Sequence, residues 1–257
     1  MGVKIATWNV NSLKVRLPHV LQWMEADQPD IVGLQETKLI DENFPVAQIE
    51  AAGYHVVFSG QKTYNGVAVL SREPATDVIT DLPGLKDPQR RVLGATIGPI
   101  RFLDIYVPNG QSVGSEKYAY KLDWLAACQD YIADQLAHHE HFAVVGDFNI
   151  APEERDVHDA VAWAGEVLFS DVERQAFAGL IGLGLTDTYR LFDQEEQTFS
   201  WWDYRMGAFR RNRGLRIDHV LTSGALTSAC TGCVINREPR AWEKPSDHTP
   251  VVAEFDL

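Results

Sequence analysis

Short runs of alternating or continuous apolar residues recur along the chain, and most of them end in polar side chains. Residues 3–8 alternate and lead into Asn9, whereas residues 31–34 form a short apolar run that leads into Glu36. Between these runs, apolar residues at three- and four-residue spacing predict a helix that stops before Pro29. The opening of the chain therefore predicts strand, helix, strand, which is typical of a layered α/β protein.

Later apolar runs are joined by short connections. Residues 54–59 and 66–71 flank a Tyr-Asn-Gly turn, and residues 93–97 and 100–106 flank Gly-Pro. Connections this short join antiparallel strands, so the sheets are not purely parallel. About a dozen strands are predicted in total, which is too many for one layer. We therefore predict an α/β fold with two packed, mixed β-sheets flanked by helices.

Two longer helices are indicated by their first residues. Ser115 begins a helix with one apolar face, and Ser170 with Glu173 forms a capping box for a second helix. Three further strands are predicted towards the C-terminus, over residues 216–222, 229–235 and 251–255. Nothing along the chain resembles a linker, so we expect residues 1–257 to form a single domain.

Composition narrows the cellular setting. The first residues lack the features of a signal peptide and no apolar stretch could cross a bilayer, so we expect a cytoplasmic protein with no membrane partner. Three cysteines cannot form a disulfide framework, which agrees with a reducing compartment. Cys230 and Cys233 form a lone Cys-x-x-Cys pair, which we interpret as small residues in a strand. Three histidines end the helix that begins at Ser115, and we interpret them as solvated: His138, His139 and His141.

The net charge of −13 argues against a polyanionic partner if the chain is taken as a whole. The charges are, however, unevenly distributed. Between Asp203 and Asp218 there is no acidic residue, and five arginines lie there beside aromatic residues: Arg205, Arg210, Arg211, Arg213 and Arg216. A basic, aromatic segment in an acidic protein indicates a local nucleic-acid footprint, with a solvated arginine loop as the alternative.

Acidic, amide and imidazole side chains follow the ends of the predicted strands, and their chemistry suits phosphoester cleavage. That reaction needs neutralisation of phosphoryl oxygens, a base for water and stabilisation of the leaving oxygen. Glu36, Asp247 and Asn11 offer oxygen ligands of the type that Mg²⁺ or Mn²⁺ prefers. Singly, such residues also terminate strands and cap turns. Their joint occurrence at several strand ends favours one site.

The remaining members of this set suit proton transfer and phosphate binding. Asp147, next to the amide of Asn149, is placed to orient or deprotonate water. His248 can donate to a phosphate oxygen, and Asp218 would hold its orientation and keep it charged.

Six motifs, in chain order, resemble those of the exonuclease III family of abasic-site endonucleases. They are Trp8-Asn9-Val10-Asn11, Leu34-Gln35-Glu36-Thr37-Lys38, Tyr106-Val107-Pro108-Asn109-Gly110, Gly146-Asp147-Phe148-Asn149, Asn212-Arg213-Gly214-Leu215-Arg216-Ile217-Asp218-His219 and Pro245-Ser246-Asp247-His248. The resemblance extends from Lys4 to Phe255 and implies a four-layered α/β sandwich with the active site at one end of the two sheets. It also implies hydrolysis 5′ to an abasic site in duplex DNA, leaving a 3′-hydroxyl, together with 3′-5′ exonuclease and 3′-end-cleaning activity.

The resemblance assigns roles to the matching residues. Glu36 would be the principal metal ligand, with Asp247 and Asn11 close by. Asp147, supported by Asn149 and Asn9, would activate water or protonate the leaving oxygen. Tyr106 and His248 would contact the scissile phosphate, with Asp218 paired to His248. The substrate would be held by a slot for the base-free sugar, lined by Trp202 and Leu215, and by further contacts from Lys38, Arg90, Arg91, Asn109 and Arg216.

Some features leave alternatives open. Asn11 stands where some relatives carry an acid, so one or two metal ions remain possible, and loops 111–115 and 167–170 lie where family members differ. The chain could therefore act mainly as a 3′-exonuclease or 3′-phosphodiesterase. A phosphatase for inositol phosphates or sphingolipids would lack the tryptophan and arginine stretch, and a non-catalytic nucleic-acid-binding regulator would have lost Glu36, Asp147 or His248. We expect a monomer that binds duplex DNA with abasic sites or damaged 3′ ends.

Overall fold

The computed structural model describes residues 2–257 and contains two six-stranded sheets. The first sheet consists of β1 (Gly2–Asn9), β2 (Ile31–Gln35), β3 (His55–Ser59), β4 (Val67–Ser71), β11 (Cys230–Ile235) and β12 (Val251–Asp256). Its strand order is β11-β12-β1-β2-β4-β3. The second consists of β5 (Thr76–Ile79), β6 (Val92–Ile97), β7 (Ile100–Tyr106), β8 (Phe142–Asp147), β9 (Thr186–Asp187) and β10 (Asp218–Thr222). Its order is β5-β6-β7-β8-β10-β9.

The helices are α1 (Leu13–Asp27), α2 (Val46–Ala51), α3 (Glu116–His138), α4 (Ala160–Trp163), α5 (Asp171–Gly182) and α6 (Gly224–Ser228). The predicted caps are present. The side chain of Ser115 accepts a hydrogen bond from the backbone N–H of Tyr118, and Ser170 and Glu173 form a reciprocal capping box. Each cap satisfies backbone donors that the first turn of a helix leaves unpaired, and so fixes where α3 and α5 begin.

Three apolar cores separate four layers, which confirms the predicted architecture. One core lies between the sheets and includes Ile5, Phe102 and Phe255. A second lies under α3 and α5, and a third lies under α1 and α2. A sheet buried on both faces reads as continuous apolar sequence, which explains why β2, β4 and β8 carry almost no polar residues.

Strand direction brings the polar strand ends together. β1 and β2 are parallel, as are β7 and β8, so the carboxyl ends of each pair lie at the same edge of their sheet. β12 runs antiparallel to β1, and β10 runs antiparallel to β8, so these two strands begin where their neighbours end. The predicted antiparallel pairs β3–β4 and β6–β7 are also present.

Some elements differ from the sequence prediction. β5, the two-residue β9 and the short helices α2, α4 and α6 were not predicted, and β10 begins at Asp218 rather than at Arg216. Cys230 and Cys233 lie in β11, as interpreted from the sequence. Across residues 2–257, the helices lack the combination of length and apolar character needed to cross a membrane.

Candidate active site

The amide of Asn9 joins the two sheets at the edge where the strands end. Its Nδ2 atom donates to Oε1 of Glu36 at 2.9 Å and to Oδ2 of Asp147 at 2.9 Å. Asn9 ends β1 and Glu36 follows β2 in the first sheet, whereas Asp147 ends β8 in the second. A fully buried side chain with both donors used fixes the distance between the two carboxylates.

Asp147 is held by a second amide. The backbone N–H of Asn149 donates to Oδ1 of Asp147 at 2.9 Å, and its Nδ2 donates to Oδ2 at 3.2 Å. Asn149 has φ of 49°, a left-handed conformation that asparagine tolerates better than most residues and that turns its side chain back to Asp147. Asn109 in turn donates to Oδ1 of Asn149 at 3.2 Å. The three residues form one chain of hydrogen bonds.

His248 lies between two carboxylates. Its Nδ1 atom lies 2.9 Å from Oδ2 of Asp218, and its Nε2 atom lies 3.7 Å from Oδ2 of Asp147. Burial opposes protonation, but the negative charges of Asp218 and Asp147 outweigh it and raise the pKa of His248 to about 10. His248 is therefore an imidazolium at neutral pH. Ser200 donates to Oδ2 of Asp218 at 2.6 Å and holds that carboxylate in place.

The neighbouring residues of the Asp-His pair anchor it to β1. Ser246 donates through its hydroxyl to the carbonyl of Asn9 at 2.7 Å and accepts from the backbone N–H of His248 at 3.2 Å. The indole of Trp8 donates to the carbonyl of His248 at 3.2 Å. With the backbone fixed, His248 points to Asp218, while Asp247 points the other way.

Asp247 accepts from Nδ2 of Asn11 at 2.9 Å and from the indole nitrogen of Trp201 at 3.0 Å. Within residues 2–257, the compact group of metal-type ligands consists of Glu36, Asp147 and His248, whose ligand atoms lie within 4.8 Å of one another. That group contains Glu36, which was predicted as a ligand, together with Asp147, which was predicted to act on water. Because an imidazolium has no free lone pair, His248 would not bind a cation at neutral pH.

The oxygens near Glu36 fit a hard cation. The ammonium of Lys38 lies 2.9 Å from Oε2 of Glu36 and also contacts Oδ1 of Asn11, so a positive charge already lies between two predicted ligands. Glu36 and Lys38 both have left-handed backbone conformations, with φ of 52° and 55°. Such strain costs about 1–3 kcal/mol per residue and is common at functional sites.

The pKa values of Asp147 and Tyr106 are also raised. Burial raises the pKa of Asp147 to about 7, although the positive charge of His248 opposes this change. Burial, with the negative charges of Glu36 and Asp147, raises the pKa of Tyr106 well above its usual value. The Tyr106 hydroxyl therefore stays protonated and can donate a hydrogen bond, whereas Asp147 can exchange a proton near neutral pH.

Arg91, which was expected to lie on the DNA backbone, contacts Tyr106 in the structure. Its guanidinium lies 4.7 Å from the centre of the Tyr106 ring and donates to the Tyr106 carbonyl at 3.1 Å. Arg90 lies more openly, with 40% of its side chain exposed, and pairs with Asp81 at 3.0 Å. Asn109 is exposed as well.

The prediction that Arg216 binds DNA is wrong. Arg216 is 1% exposed, and its guanidinium is paired with Asp156 at 2.6 Å and with Asp187 at 2.8 Å. It also contacts Nδ1 of His219 at 3.0 Å. A guanidinium whose donors are satisfied beneath the surface cannot reach a phosphate. Arg205, Arg210, Arg211 and Arg213 of the same segment are exposed.

The slot expected between Trp202 and Leu215 is also absent, because both residues are fully buried. Trp202 packs in a small cluster with Phe199 and Ala208. Trp201 is only half-buried and bridges the backbones of Leu215 and His248, so it lies nearer the site than Trp202 does. The sequence motif identified the aromatic stretch but not which tryptophan faces the site.

Two serines and a lysine of the site were not predicted. Ser246 lies within one of the six motifs, and Ser200 directly precedes Trp201 of the aromatic stretch, so their position in the sequence was the available signal. Lys121 lies in the second turn of α3, and its buried ammonium donates to the carbonyl of Asn149 at 2.7 Å. A charged residue at a helix position between apolar neighbours was the only sign of its burial.

Two stacked sheets with carboxylates, amides and a buried imidazolium at one edge define a phosphoester hydrolase. The sequence of residues 6–248 matches the endonuclease/exonuclease/phosphatase family. The chain is 37% identical to exodeoxyribonuclease III of Haemophilus influenzae, over 98% of this chain and all of that protein. This chain belongs to that family, and within it to the exonuclease III group of DNA-repair nucleases.

Solved structures show the same fold at high similarity. A 3′ phosphatase from Neisseria, bound to a product DNA hairpin, is 47% identical with a TM-score of 0.97 over 99% of this chain and 100% of that one. An AP endonuclease from Archaeoglobus fulgidus is 40% identical with a TM-score of 0.95, again over 99% of this chain and 100% of that one.

Proposed function

We propose that the chain hydrolyses the phosphodiester 5′ to an abasic site in duplex DNA, leaves a 3′-hydroxyl, and also trims and cleans 3′ ends. The observation that carries this proposal is the continuous series of contacts from Asp218 through His248, Asp147 and Asn9 to Glu36. It brings together a positively charged imidazole (His248), a carboxyl group that can exchange a proton (Asp147) and a carboxylate suited to a metal ion (Glu36). The similarity to an AP endonuclease and to exodeoxyribonuclease III supports the substrate class.

A divalent cation, Mg²⁺ or Mn²⁺, would be held by Glu36 and Asn11, with Asp147 or Asp247 alongside. When bound, it would neutralise negative charge on the phosphoryl oxygens. Lys38 would then have to leave Glu36, because the metal ion and the ammonium would repel each other at one carboxylate. A released Lys38 is free to contact a DNA phosphate, which is the role expected from the sequence.

The chain's own residues would then handle phosphate and protons. His248 would donate from Nε2 to a non-bridging phosphate oxygen, while Asp218 keeps it charged and oriented. Tyr106 would donate from its hydroxyl to the same phosphate. Asp147 would take a proton from the attacking water or give one to the leaving oxygen, and Asn9 and Asn149 fix its carboxylate for either step.

DNA contacts would come from the exposed residues around this edge. Arg205, Arg210, Arg211 and Arg213 would contact the backbone, which positions the duplex without reading its sequence. Asn109 and Arg90 would add contacts from the second sheet. The half-buried Trp201 would face the base-free sugar. We further propose that residues 1–257 act as one domain, since the site residues extend from Asn9 to His248. We also propose that the protein is cytoplasmic and monomeric.

A duplex with one tetrahydrofuran abasic analogue tests the proposal. Purified protein with Mg²⁺ should incise on the 5′ side of the analogue and leave a 3′-hydroxyl, and chelation of the metal should stop incision. Intact duplex, in the presence of protein that binds it, would contradict the endonuclease assignment.

A second candidate, an enzyme specialised for 3′ ends, is favoured by the similarity to the Neisseria 3′ phosphatase. A nicked duplex with a 3′-phosphate separates the two candidates. Fast removal of that phosphate together with slow incision at the internal analogue would favour the 3′-end enzyme. Comparable rates on both substrates would support the broader activity.

A further inference from the structure

Lys121 places a charged group beneath the active site. Its ammonium contacts two backbone carbonyls and a glutamate, and none of the side chains to which the chemistry is assigned. It is 0% exposed on α3, and its ammonium donates to the backbone carbonyls of Asn149 at 2.7 Å and Asn109 at 3.2 Å. Its third partner is a carboxylate oxygen of Glu173, which is also fully buried. All three protons of the ammonium are therefore used inside the protein.

Glu173 extends the contacts of Lys121 to a third loop. Its Oε1 atom accepts from the backbone N–H of Leu168 at 3.0 Å, and its Oε2 atom accepts from Ser170 through the backbone at 3.1 Å and the hydroxyl at 2.5 Å. Leu168 has φ of 77°, a conformation that side-chain-bearing residues rarely adopt. The Lys121–Glu173 pair thus connects the loops that follow β7 and β8 with the loop that precedes α5.

The same loops pack closely around the lysine stem. A side chain at Gly110 would lie 3.1 Å from Cδ of Lys121 and 3.2 Å from a methyl group of Val167, and Gly110 has φ of 92°. The loop carrying Asn109 therefore rests directly on Lys121. A shift of the lysine would be passed to Asn109, since no slack lies between them.

From these carbonyls, a short path of hydrogen bonds leads to the reacting groups. Asn109 donates to Oδ1 of Asn149, and Asn149 donates through its backbone and side chain to both oxygens of Asp147. The orientation of Asp147 depends on Asn149, and the orientation of Asn149 depends on where its peptide and Asn109 lie. Lys121 fixes both.

We propose that Lys121 and Glu173 are positioning residues for the hydrolysis, which they support by holding Asn149 and Asn109 so that Asp147 is aimed at the reacting oxygen. The inference rests on the proposed function, because it concerns the rate of that reaction. A buried ion pair contributes little net stability compared with apolar residues of the same shape, so its retention here fits a positioning role.

The double variant Lys121→Met/Glu173→Gln tests the proposal. It removes both charges together, keeps their volumes, and leaves an amide that can still cap α5. We expect kcat for incision of the abasic duplex to fall by about 10- to 100-fold with KM changed by less than about threefold, because misplacement affects the reacting geometry rather than DNA binding. The side-chain amide NMR signals of Asn109 and Asn149 should shift in the same variant.

The matched control is Lys4→Met/Glu254→Gln. It removes a partly exposed Lys–Glu pair, 3.5 Å apart, on the neighbouring strands β1 and β12. This pair lies towards the start of β1, whereas the site lies at its end. Its kcat and the two amide signals should equal those of the wild type. If neither the wild-type protein nor this control incises the duplex, the proposed function itself is contradicted, independently of the role of Lys121.

A variant that folds, keeps wild-type kcat and leaves both amide signals unmoved would overturn the proposal, because the pair would then be structural only. If the double variant does not fold, Lys121→Gln decides, since glutamine keeps a neutral donor beside Glu173 and Asn149. A severalfold loss of kcat at constant KM supports the proposal. Unchanged kcat in Lys121→Gln overturns it.

Discussion

Two buried histidines, His219 and His248, have pKa values shifted in opposite directions. Burial disfavours the charged form of both. At His248 the carboxylates of Asp218 and Asp147 reverse this effect and raise the pKa to about 10. At His219 the positive charge of Arg216 adds to the effect of burial, and the pKa falls to about 4. The same residue type is thus a buried cation at one position and a neutral structural group at the other.

The neutrality of His219 gives a prediction about stability and pH. Its Nε2 atom lies 2.9 Å from the carbonyl of Ile150, and its Nδ1 atom faces Nη1 of Arg216, so a second proton would face a guanidinium. The unfolded chain binds this proton below about pH 6.5, and the folded chain does not until about pH 4. Stability should therefore fall as the pH drops from 6.5 to 4.

The variant His219→Asn should lose this part of the pH dependence, which amounts to at most about 3 kcal/mol. Urea unfolding of both proteins at several pH values measures it. Parallel curves for wild type and variant between pH 6.5 and 4 would show that His219 titrates normally in the folded protein.

At the residue scale, the motifs predicted which residues contact each other, but not which residues are exposed. The contact between Asp218 and His248 was expected and is present at 2.9 Å, because both residues stand at strand ends within recognisable motifs. Arg216 and Trp202 were expected on the DNA-facing surface and are buried. Arg216 is buried against Asp156 and Asp187, which are distant in sequence. Trp202 is buried in a cluster with Phe199. The sequence around either residue does not show this burial.

The strand ends form one site because the two sheets lie close together where they meet. At Gly33 of β2 an added Cβ would lie 2.8 Å from Oδ1 of Asp104 and 2.9 Å from a methyl group of Val145, both of the opposite sheet. Asp104 is fully buried, and Gln35 donates to its Oδ1 atom at 2.6 Å. The residue before Glu36 is thus fixed from the opposite sheet.

Replacing Gly33 by alanine should separate the sheets locally. We expect the variant to lose about 1–3 kcal/mol of unfolding free energy, since overpacking a well-packed core costs that much. The matched control is Gly232→Ala in β11, where an added Cβ would have no neighbour within 4 Å. Denaturant unfolding compares the two; equal stability of both variants would contradict the close approach of the sheets.

Sequence patterns identified the long elements and missed the short ones. Helix α1, helix α3 and the central strands have clear periodicity or caps, and the structure contains them. β5 is exposed along most of its length, and β9 has two residues, so neither shows a hydrophobic pattern. These edge strands form because a neighbouring strand offers free backbone groups, which is a tertiary effect.

For the molecule as a whole, the main electrostatic problem is to bind DNA with a net charge of −13. Binding a polyanion needs local positive charge, and we propose that the exposed arginines of residues 205–213 supply it. The arginines near the site are not equivalent, since Arg91 contacts Tyr106 and the buried Arg216 is paired with Asp156.

Neutralising two exposed arginines should therefore weaken DNA binding. For Arg210→Gln/Arg211→Gln we expect the slope of log K against log salt to become shallower by about 2, because each lost phosphate contact contributes about 0.9. The control Lys4→Gln/Arg72→Gln changes the net charge equally at the opposite edge and should leave the slope unchanged. Equal slopes in both variants, measured by fluorescence anisotropy, would show that the arginine segment does not bind the backbone.

The central claim is that the Asp147, Asn149 and His248 group performs the hydrolysis after DNA has bound. Single-turnover incision of the abasic duplex by Asp147→Asn, measured with Mg²⁺ and in parallel with binding affinity, tests it most directly. Asparagine keeps the shape of Asp147 but cannot exchange its proton, so the rate should fall by at least about 100-fold while Kd stays within about threefold. Incision at near wild-type rate, or a loss of binding that equals the loss of rate, would contradict the claim.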